Sequence, residues 1–562
     1  MRLSILFTLV SFLFLSQVWG QDTDLLLNHD GYHYIDRLDI RGYTDDVVHT
    51  DIKPYGRLAL KEVFDKVDTS RMGKNERKWN HHMRILLDDQ YATEQQGKGL
   101  FKVFYKNKRD FYHYKGKALT VFVNPVLYTS WGQDFHNYNG DTENRRISYN
   151  TRGLVIRGSL FDKVGFYSEA YDNQSFFPQF VQNRYEETDA LFGETFIKPF
   201  KPDTSKNTSG LDYFSSRAYI TYSPHKAIRI KFGKDRAFWG NGFQNLVLSD
   251  YAADYLMLSI NTRFWKMEYT NHFMQMIDFI PNKPDQIGTF PRKYGAFHQL
   301  SYKPNKNLSV GFFESIIYAS QQPNGNRGFE LQYLNPVIFY RSVEQLLGSP
   351  DNAFFGFNLK YNFLKHFQVY GQFLLDDFNF SRRNQGSKYW GNKFGYQAGL
   401  KYIDAFTIPT LDLQIEYNRL RPYTYQHFNI SANYAHYGQY LGHASGGNLS
   451  DIYFGLRYHP IPSLNIQFSY SRMMKGLDEP GVNNGGDITK SYSYDRPREF
   501  DHVPGQGVAL NVNTLFGRLT YQIMNTDVYV ELEGRYRTEN DFKSASILGG
   551  IRANIAPRPI KF

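Results

Sequence analysis

From about Ala118 onward, apolar and polar side chains alternate one for one, run after run. Leu411, Leu413, Ile415 and Tyr417 alternate with Asp412, Gln414, Glu416 and Asn418. The same pattern holds for Phe355, Phe357, Leu359 and Tyr361, for Leu464, Ile466, Phe468 and Tyr470, and for Val530, Leu532 and Tyr536. In a strand this period sends every apolar side chain to one face and every polar one to the other. A soluble β-sandwich or propeller alternates too, so the polar face has to decide. Here it is charged strand after strand, while the opposite face is apolar and aromatic, which is what a barrel in lipid with a wet lumen requires. An open sheet edge in hydrocarbon would leave backbone groups unsatisfied at several kcal/mol each, so the sheet has to close. Counting such runs to Ile555 predicts an all-β, transmembrane outer-membrane β-barrel of about 16–18 antiparallel strands over residues 118–562.

Composition agrees. Mean hydropathy is −0.53, yet aromatic residues make up 17% of the chain. A soluble protein this polar has little use for so many rings, whereas a membrane barrel places them in girdles at both interfaces. Cysteine is absent from all 562 residues, so disulfides do not hold the fold.

Residues 1–20 read as a cleaved secretory signal: Arg2, an apolar run from Leu3 to Leu15, then Val18 and Gly20 before Gln21. The apolar run is short of the roughly 20 residues that a membrane helix needs. No cysteine follows it, which excludes a lipoprotein anchor. Residues 21–117 are expected to form a partly helical periplasmic or plug element. Leu60, Val63, Phe64 and Val67 recur at helical spacing after Pro54, and Asn75 is placed to cap a second helix presenting Trp79, Met83 and Leu86. Pro199–Tyr213 and Gly476–Gly505, rich in Asp, Asn, Gly, Ser and Pro, read as long surface loops. A last strand at Ser546–Ile555 is followed by two prolines and an aromatic ending, Phe562, that suits barrel insertion.

The most specific segment is Gly233-Lys234-Asp235-Arg236-Ala237-Phe238-Trp239-Gly240-Asn241-Gly242, followed by Leu246-Val247-Leu248-Ser249-Asp250. It resembles the signature of the Wzi-type capsule-assembly family of outer-membrane proteins, with Asn241 at the family's usual proline. A second cluster runs from Asn418-Arg419-Leu420-Arg421-Pro422-Tyr423 through His427 and Asn433-Tyr434-Ala435-His436 to Gly446-Gly447-Asn448. With the early run His33–Ile40, it looks like the Bacteroidetes branch of that family, which includes gliding-motility proteins of the RemB type. The resemblance implies a barrel that binds polysaccharide at the cell surface and serves capsule or exopolysaccharide assembly, or gliding and adhesion. Its implied partners are capsular or extracellular polysaccharide and cell-surface motility or assembly proteins.

Two segments carry the candidate polysaccharide-binding residues. In the first, Trp239 could stack on a pyranose face, while Asp235, Arg236 and Asn241 bind hydroxyls or a uronate carboxylate. The bland alternative is a lumen ion pair with a tight loop that narrows the barrel. In the second, Arg421, Tyr423 and His427 could form a carbohydrate-binding rim, or the tyrosines could belong to an interface girdle.

Other chemistries find less support. His443 and Ser445 lie close in sequence, but no Gly-x-Ser-x-Gly elbow is present and proximity supplies no geometry, so a hydrolase is a remote alternative. His81 and His82 point to different sides of a helix, and there is no Asp-x-Asp-x-Asp-Gly loop, so no metal and no cofactor are expected. The net charge of +10 suits lipopolysaccharide phosphates or acidic glycans better than nucleic acid, given export. The main competing function is a passive porin for small solutes, separated from a binding barrel by whether the lumen is plugged.

Overall fold

The computed structural model describes residues 22–43, 49–97, 103–138, 141–161, 163–203, 208–279, 290–322, 325–335, 339–348, 351–382, 388–523 and 525–562. The secretory-signal reading at residues 1–20 lies outside them.

Eighteen antiparallel strands close into one barrel. They are β1 Leu119–Tyr138, β2 Asp141–Leu160, β3 Val164–Phe176, β4 Thr208–His225, β5 Ile228–Asp235 and β6 Tyr255–Phe264. Next come β7 Met267–Ile277, β8 Arg292–Tyr302, β9 Leu308–Ala319, β10 Asn352–Phe363, β11 Phe367–Asp377 and β12 Lys393–Tyr402. The circuit ends with β13 Leu411–Leu420, β14 Leu449–Ile461, β15 Leu464–Leu477, β16 Val508–Gln522, β17 Val528–Glu539 and β18 Phe542–Ala553. Each strand pairs with its successor, and β18 pairs with β1, from Lys543 opposite Asn137 to Ala553 opposite Leu127.

The alternation sorts the two faces. Phe355, Phe357, Leu359, Tyr361, Ile415, Leu532 and Tyr536 are exposed on the outer wall. Their neighbours Asn358, Lys360, Asp412, Glu416, Asn418 and Glu531 are buried in the lumen. At one end the strands are joined by short turns, where Phe161, Trp265 and Phe406 stand exposed as part of an aromatic girdle. At the other end most connections are long, although β1–β2 and β17–β18 are joined by two residues each. Short turns face the periplasm and long loops the exterior in this class of barrel.

Ahead of β1, the helices α1 Gly31–Arg41, α2 Arg57–Lys66 and α3 Lys74–Leu87, followed by the short helix Asp89–Glu94, lie within the short-turn half of the lumen. Leu60, Val63, Phe64, Trp79, Met83 and Leu86 meet in one apolar cluster, as their helical spacing predicts. Asn75 does not cap α3. The helix begins at Lys74, and the Glu76 carboxylate accepts the Gly73 N–H at 2.9 Å, so Gly73 holds the cap position. Helix α1 adds Tyr34, Ile35 and Leu38 to that cluster, while Asp36, Arg37 and Asp39 pair with the barrel wall.

Pro199–Tyr213 is not a loop. Ile197–Asp203 pairs with the first half of β4, extending the sheet beyond its neighbours, with residues 204–207 outside the description. Turn-forming composition is compatible with strand here because the segment finds backbone partners on β4, from Ile197 opposite Tyr213 to Asp203 opposite Thr208. After β18 the chain turns into the lumen, and Phe562 ends against Phe180, Phe192 and Tyr251 instead of on the outer wall.

Candidate functional site: a lumen closed from both ends

The first closure is the N-terminal segment. Its acids meet basic or amide groups on strands distributed around the wall: Asp24 with Lys231 at 2.8 Å, Asp39 with Lys303 at 3.1 Å and Lys360 at 2.7 Å, and Asp36 with Lys401 at 2.7 Å. Polarity reverses at the β12–β13 turn, where Arg37 binds Asp404 at 2.7 Å and also Asp412. These groups are buried, so each charge is kept inside the protein only because its partner is there.

The second closure is built from the connection Arg236–Asp254 between β5 and β6. It folds inward from the long-loop end and places Trp239, Leu246, Val247 and Leu248 in the lumen core with Phe297, Phe313, Phe354 and Leu374. Phe238 and Trp239 pair with Lys53 and Ile52, a two-stranded sheet that joins the inner layer to the plug. Glu416 accepts the N–H groups of Phe243 at 2.7 Å and Gln244 at 2.9 Å. A Cβ on Gly242 would lie 2.4 Å from a Glu416 carboxylate oxygen, so this turn needs a glycine for close approach.

The connection Arg421–Asn448 lies directly against that layer. Tyr425 Oη donates to Leu246 O at 2.6 Å, and Tyr434 Oη to Val247 O at 2.8 Å. Ser249 Oγ donates to Gly442 O at 2.6 Å. The two motif segments of the sequence are therefore one structure. The tail adds a third thread, with Lys561 Nζ donating to Asp250 at 2.7 Å and to Phe243 O at 2.8 Å.

The first set of predicted site residues serves this closure. Asp235 is buried between Lys231 at 2.7 Å and Arg217 at 3.1 Å. Arg236 is held by Asp254 at 2.5 Å and by the Asp250 carbonyl at 3.1 Å. Trp239 is 0% exposed, with His272 and Phe297 against its ring, so neither face is free for a pyranose. Asn241 lines a residual lumen cavity of about 230 Å³, together with Phe243, Tyr453, Arg518, Arg535 and Lys561.

The second set lies under the outer rim. Arg421 donates to Tyr389 O at 3.1 Å. Tyr423 is buried, donates to Asn483 O at 2.8 Å and meets Trp390 edge-on. His427 is buried against Phe428 at 4.4 Å, and burial, reinforced by the Lys393 ammonium, pushes its pKa down to about 3. Above them stands an aromatic and cationic surface that the sequence did not single out. The Arg496 guanidinium lies 3.9 Å over the Trp390 ring, Tyr492 packs beside it, and Phe428 and Tyr494 are 41% and 70% exposed. The only signal for it was the aromatic content of a connection otherwise rich in turn residues.

The Ser445 and His443 pair does not form a nucleophile and base. His443 Nδ1 accepts the Ser445 backbone N–H at 3.2 Å, so that nitrogen is taken by the amide. His81 and His82 diverge, one to Tyr91 and the other to Gln522.

A family model described as capsule assembly protein Wzi matches residues 143–538, well over half of the chain. The chain belongs to the Wzi capsule-assembly family. Its barrel is of the kind that spans a bacterial outer membrane. Among solved structures, Wzi of Escherichia coli, an outer-membrane protein involved in group 1 capsule assembly and described as a carbohydrate-binding β-barrel, superposes with a TM-score of 0.59. That match covers 95% of this chain and all of the other at 13% identity. The Pseudomonas aeruginosa barrel OccK8 (OprE) gives a TM-score of 0.39 at 9% identity, covering 76% of this chain and 97% of that one. No curated protein sequence matches the chain significantly. As a Wzi-family barrel, the molecule unites the signature Asp235–Gly242 and the cluster Arg421–Asn448 in its inner layer.

Proposed function

We propose that this Wzi-family barrel is a non-enzymatic, non-conducting outer-membrane protein that binds surface polysaccharide at its long-loop rim. Its biological setting is capsule or exopolysaccharide assembly or, through the Bacteroidetes branch that it resembles, gliding and adhesion. The observation that carries the reading is the double closure of the lumen, which leaves the outward face as the place where a polymer can be engaged. A passive porin needs the open path that the plug and inner layer occupy. Arg421, Tyr423 and His427 are read as supports of the rim. Asp235, Arg236, Trp239 and Asn241 are read as parts of the closure beneath it. Exposed rings flanked by arginine suit sugar faces and uronate carboxylates, and each ring is worth about 0.5–1.5 kcal/mol in stacking.

The test is binding of the refolded barrel to the producing organism's own surface polysaccharide. Phe428→Ala and Tyr494→Ala are expected to weaken binding by about twofold to tenfold each, the range that this stacking energy converts to. Saturable binding that neither substitution alters would displace the rim from this role. No binding by the unaltered protein would remove the glycan reading itself.

A further inference from the structure

The outer wall carries a feature that a lipid-facing surface normally excludes. Asn271, His298 and Glu314 lie side by side on adjacent strands β7, β8 and β9, in register with one another. All three share the outward face. Their neighbours along the strands, Gln299 and Phe313, point into the lumen to Asp51 and to the core. Glu314 is directly opposite Phe355 of β10, which is 44% exposed among the apolar wall residues. A carboxylate and an imidazole are therefore set at the depth of the apolar belt, where ionisable groups are costly.

They are covered by the chain itself. Between β9 and β10, residues 329–335 and 339–347 lie back over the outside of the barrel, with helix α4 Tyr340–Leu347 at their end. Tyr333, Tyr340 and Val343 are buried against outward-facing Phe273, Tyr294, Ile316 and Tyr318. The Tyr340 N–H donates to Glu314 Oε2 at 2.9 Å, and its ring covers His298 at 4.3 Å, while His298 and Glu314 are 3.2 Å apart. Tyr333 Oη donates to Asp351 at 2.7 Å, and the Glu330 N–H to Tyr318 Oη at 2.8 Å. Leu331, Phe339 and Leu346 of the segment are 72%, 69% and 78% exposed, with Gln332 and Ser342 exposed among them.

We infer that residues 329–335 and 339–347 form a strap seated in the membrane, shielding the Asn271–His298–Glu314 cluster and presenting Leu331, Phe339 and Leu346 to lipid acyl chains. The occupant is lipid because the covered cluster adjoins the exposed apolar wall, with Phe312 two residues along β9 from Glu314 and Phe355 opposite it on β10. Three large apolar side chains this exposed have no reason to be gathered on a water-facing loop.

The absence of cysteine from the sequence makes the test direct. Phe339→Cys and Leu346→Cys, each spin-labelled and reconstituted in phosphatidylcholine–phosphatidylglycerol vesicles, are compared by their accessibility to oxygen and to a water-soluble nickel chelate. Phe312→Cys on the wall and Tyr494→Cys in a long loop are the references. Both strap positions are expected to favour oxygen, as Phe312 does. Nickel-favoured relaxation matching Tyr494 would place the strap in water and overturn the inference. Exclusion of both reagents, with dipolar broadening between labels, would overturn it in favour of a second copy of the chain. Only vesicles in which the Phe312 label favours oxygen, and the barrel is therefore inserted, are scored. Retention of heat-modifiable migration confirms that each labelled protein is folded.

Discussion

Asp39 shows how the barrel handles charge in its lumen. Its carboxylate is 1% exposed and contacts both Lys303, just past the end of β8, and Lys360 on β10. Asp39→Ala leaves two buried ammonium groups without that partner and is expected to cost about 3–5 kcal/mol, measured as a fall in the urea midpoint of the vesicle-inserted protein. Trp239→Ala is expected to cost a similar ~3–5 kcal/mol by opening a cavity in the inner layer, yet to leave glycan affinity unchanged in whatever protein remains folded. A loss of affinity at full stability would return Trp239 to the binding surface. His427 supplies the pH dependence. Its folded-state pKa is about 3, below the ordinary value near 6.5. Between pH 6.5 and 3 the unfolded loop binds a proton that the folded loop does not, so its contribution is complete above pH 6.5 and falls as pH drops through that window. Proteolytic nicking near Phe428 should therefore rise on acidification, and His427→Gln should flatten that response.

Elements differ in how plainly the sequence announces them. The strands are legible because lipid on one side and a charged lumen on the other impose period two. Helices α2 and α3 are legible because they bury apolar stripes against each other. Helix α1 is less plain, since Tyr34, Ile35 and Leu38 join that cluster on one side while Asp36, Arg37 and Asp39, interleaved with them in sequence, pair with the wall on the other. The inward course of Arg236–Asp254 is equally hidden, because Trp239 pairs with Ile52 and Leu246 accepts from Tyr425, both far away in the chain. A motif marks such a segment without saying which way it turns. For that reason Trp239 reads as a sugar platform in one dimension and lies in a core in three. The two closures are expected to act in series. Removing residues 22–97 should leave conductance small because the inner layer still blocks the lumen. Replacing residues 237–253 with a short linker in the same protein should open large, ohmic channels in planar bilayers. Large channels from the unaltered protein would contradict the closed lumen.

At the scale of the whole molecule, the strand count agrees with the upper end of the sequence expectation, because repeat number survives even where individual boundaries shift. What the count does not convey is how much chain the cylinder contains. The plug touches wall residues from Lys231 on β5 to Arg457 on β14, and the barrel shuts only where β18 meets β1. A segment held on so many sides cannot be threaded in through a completed wall without breaking most of its ion pairs at once. The order of assembly follows: the strands are laid down around a mandrel that the chain carries ahead of them, and the seam between Phe542–Ala553 and Leu119–Tyr138 is sewn last. Early strands that recruit the helices before the sheet has curled would then be the ones whose lumen-facing charges matter most to how fast the barrel matures.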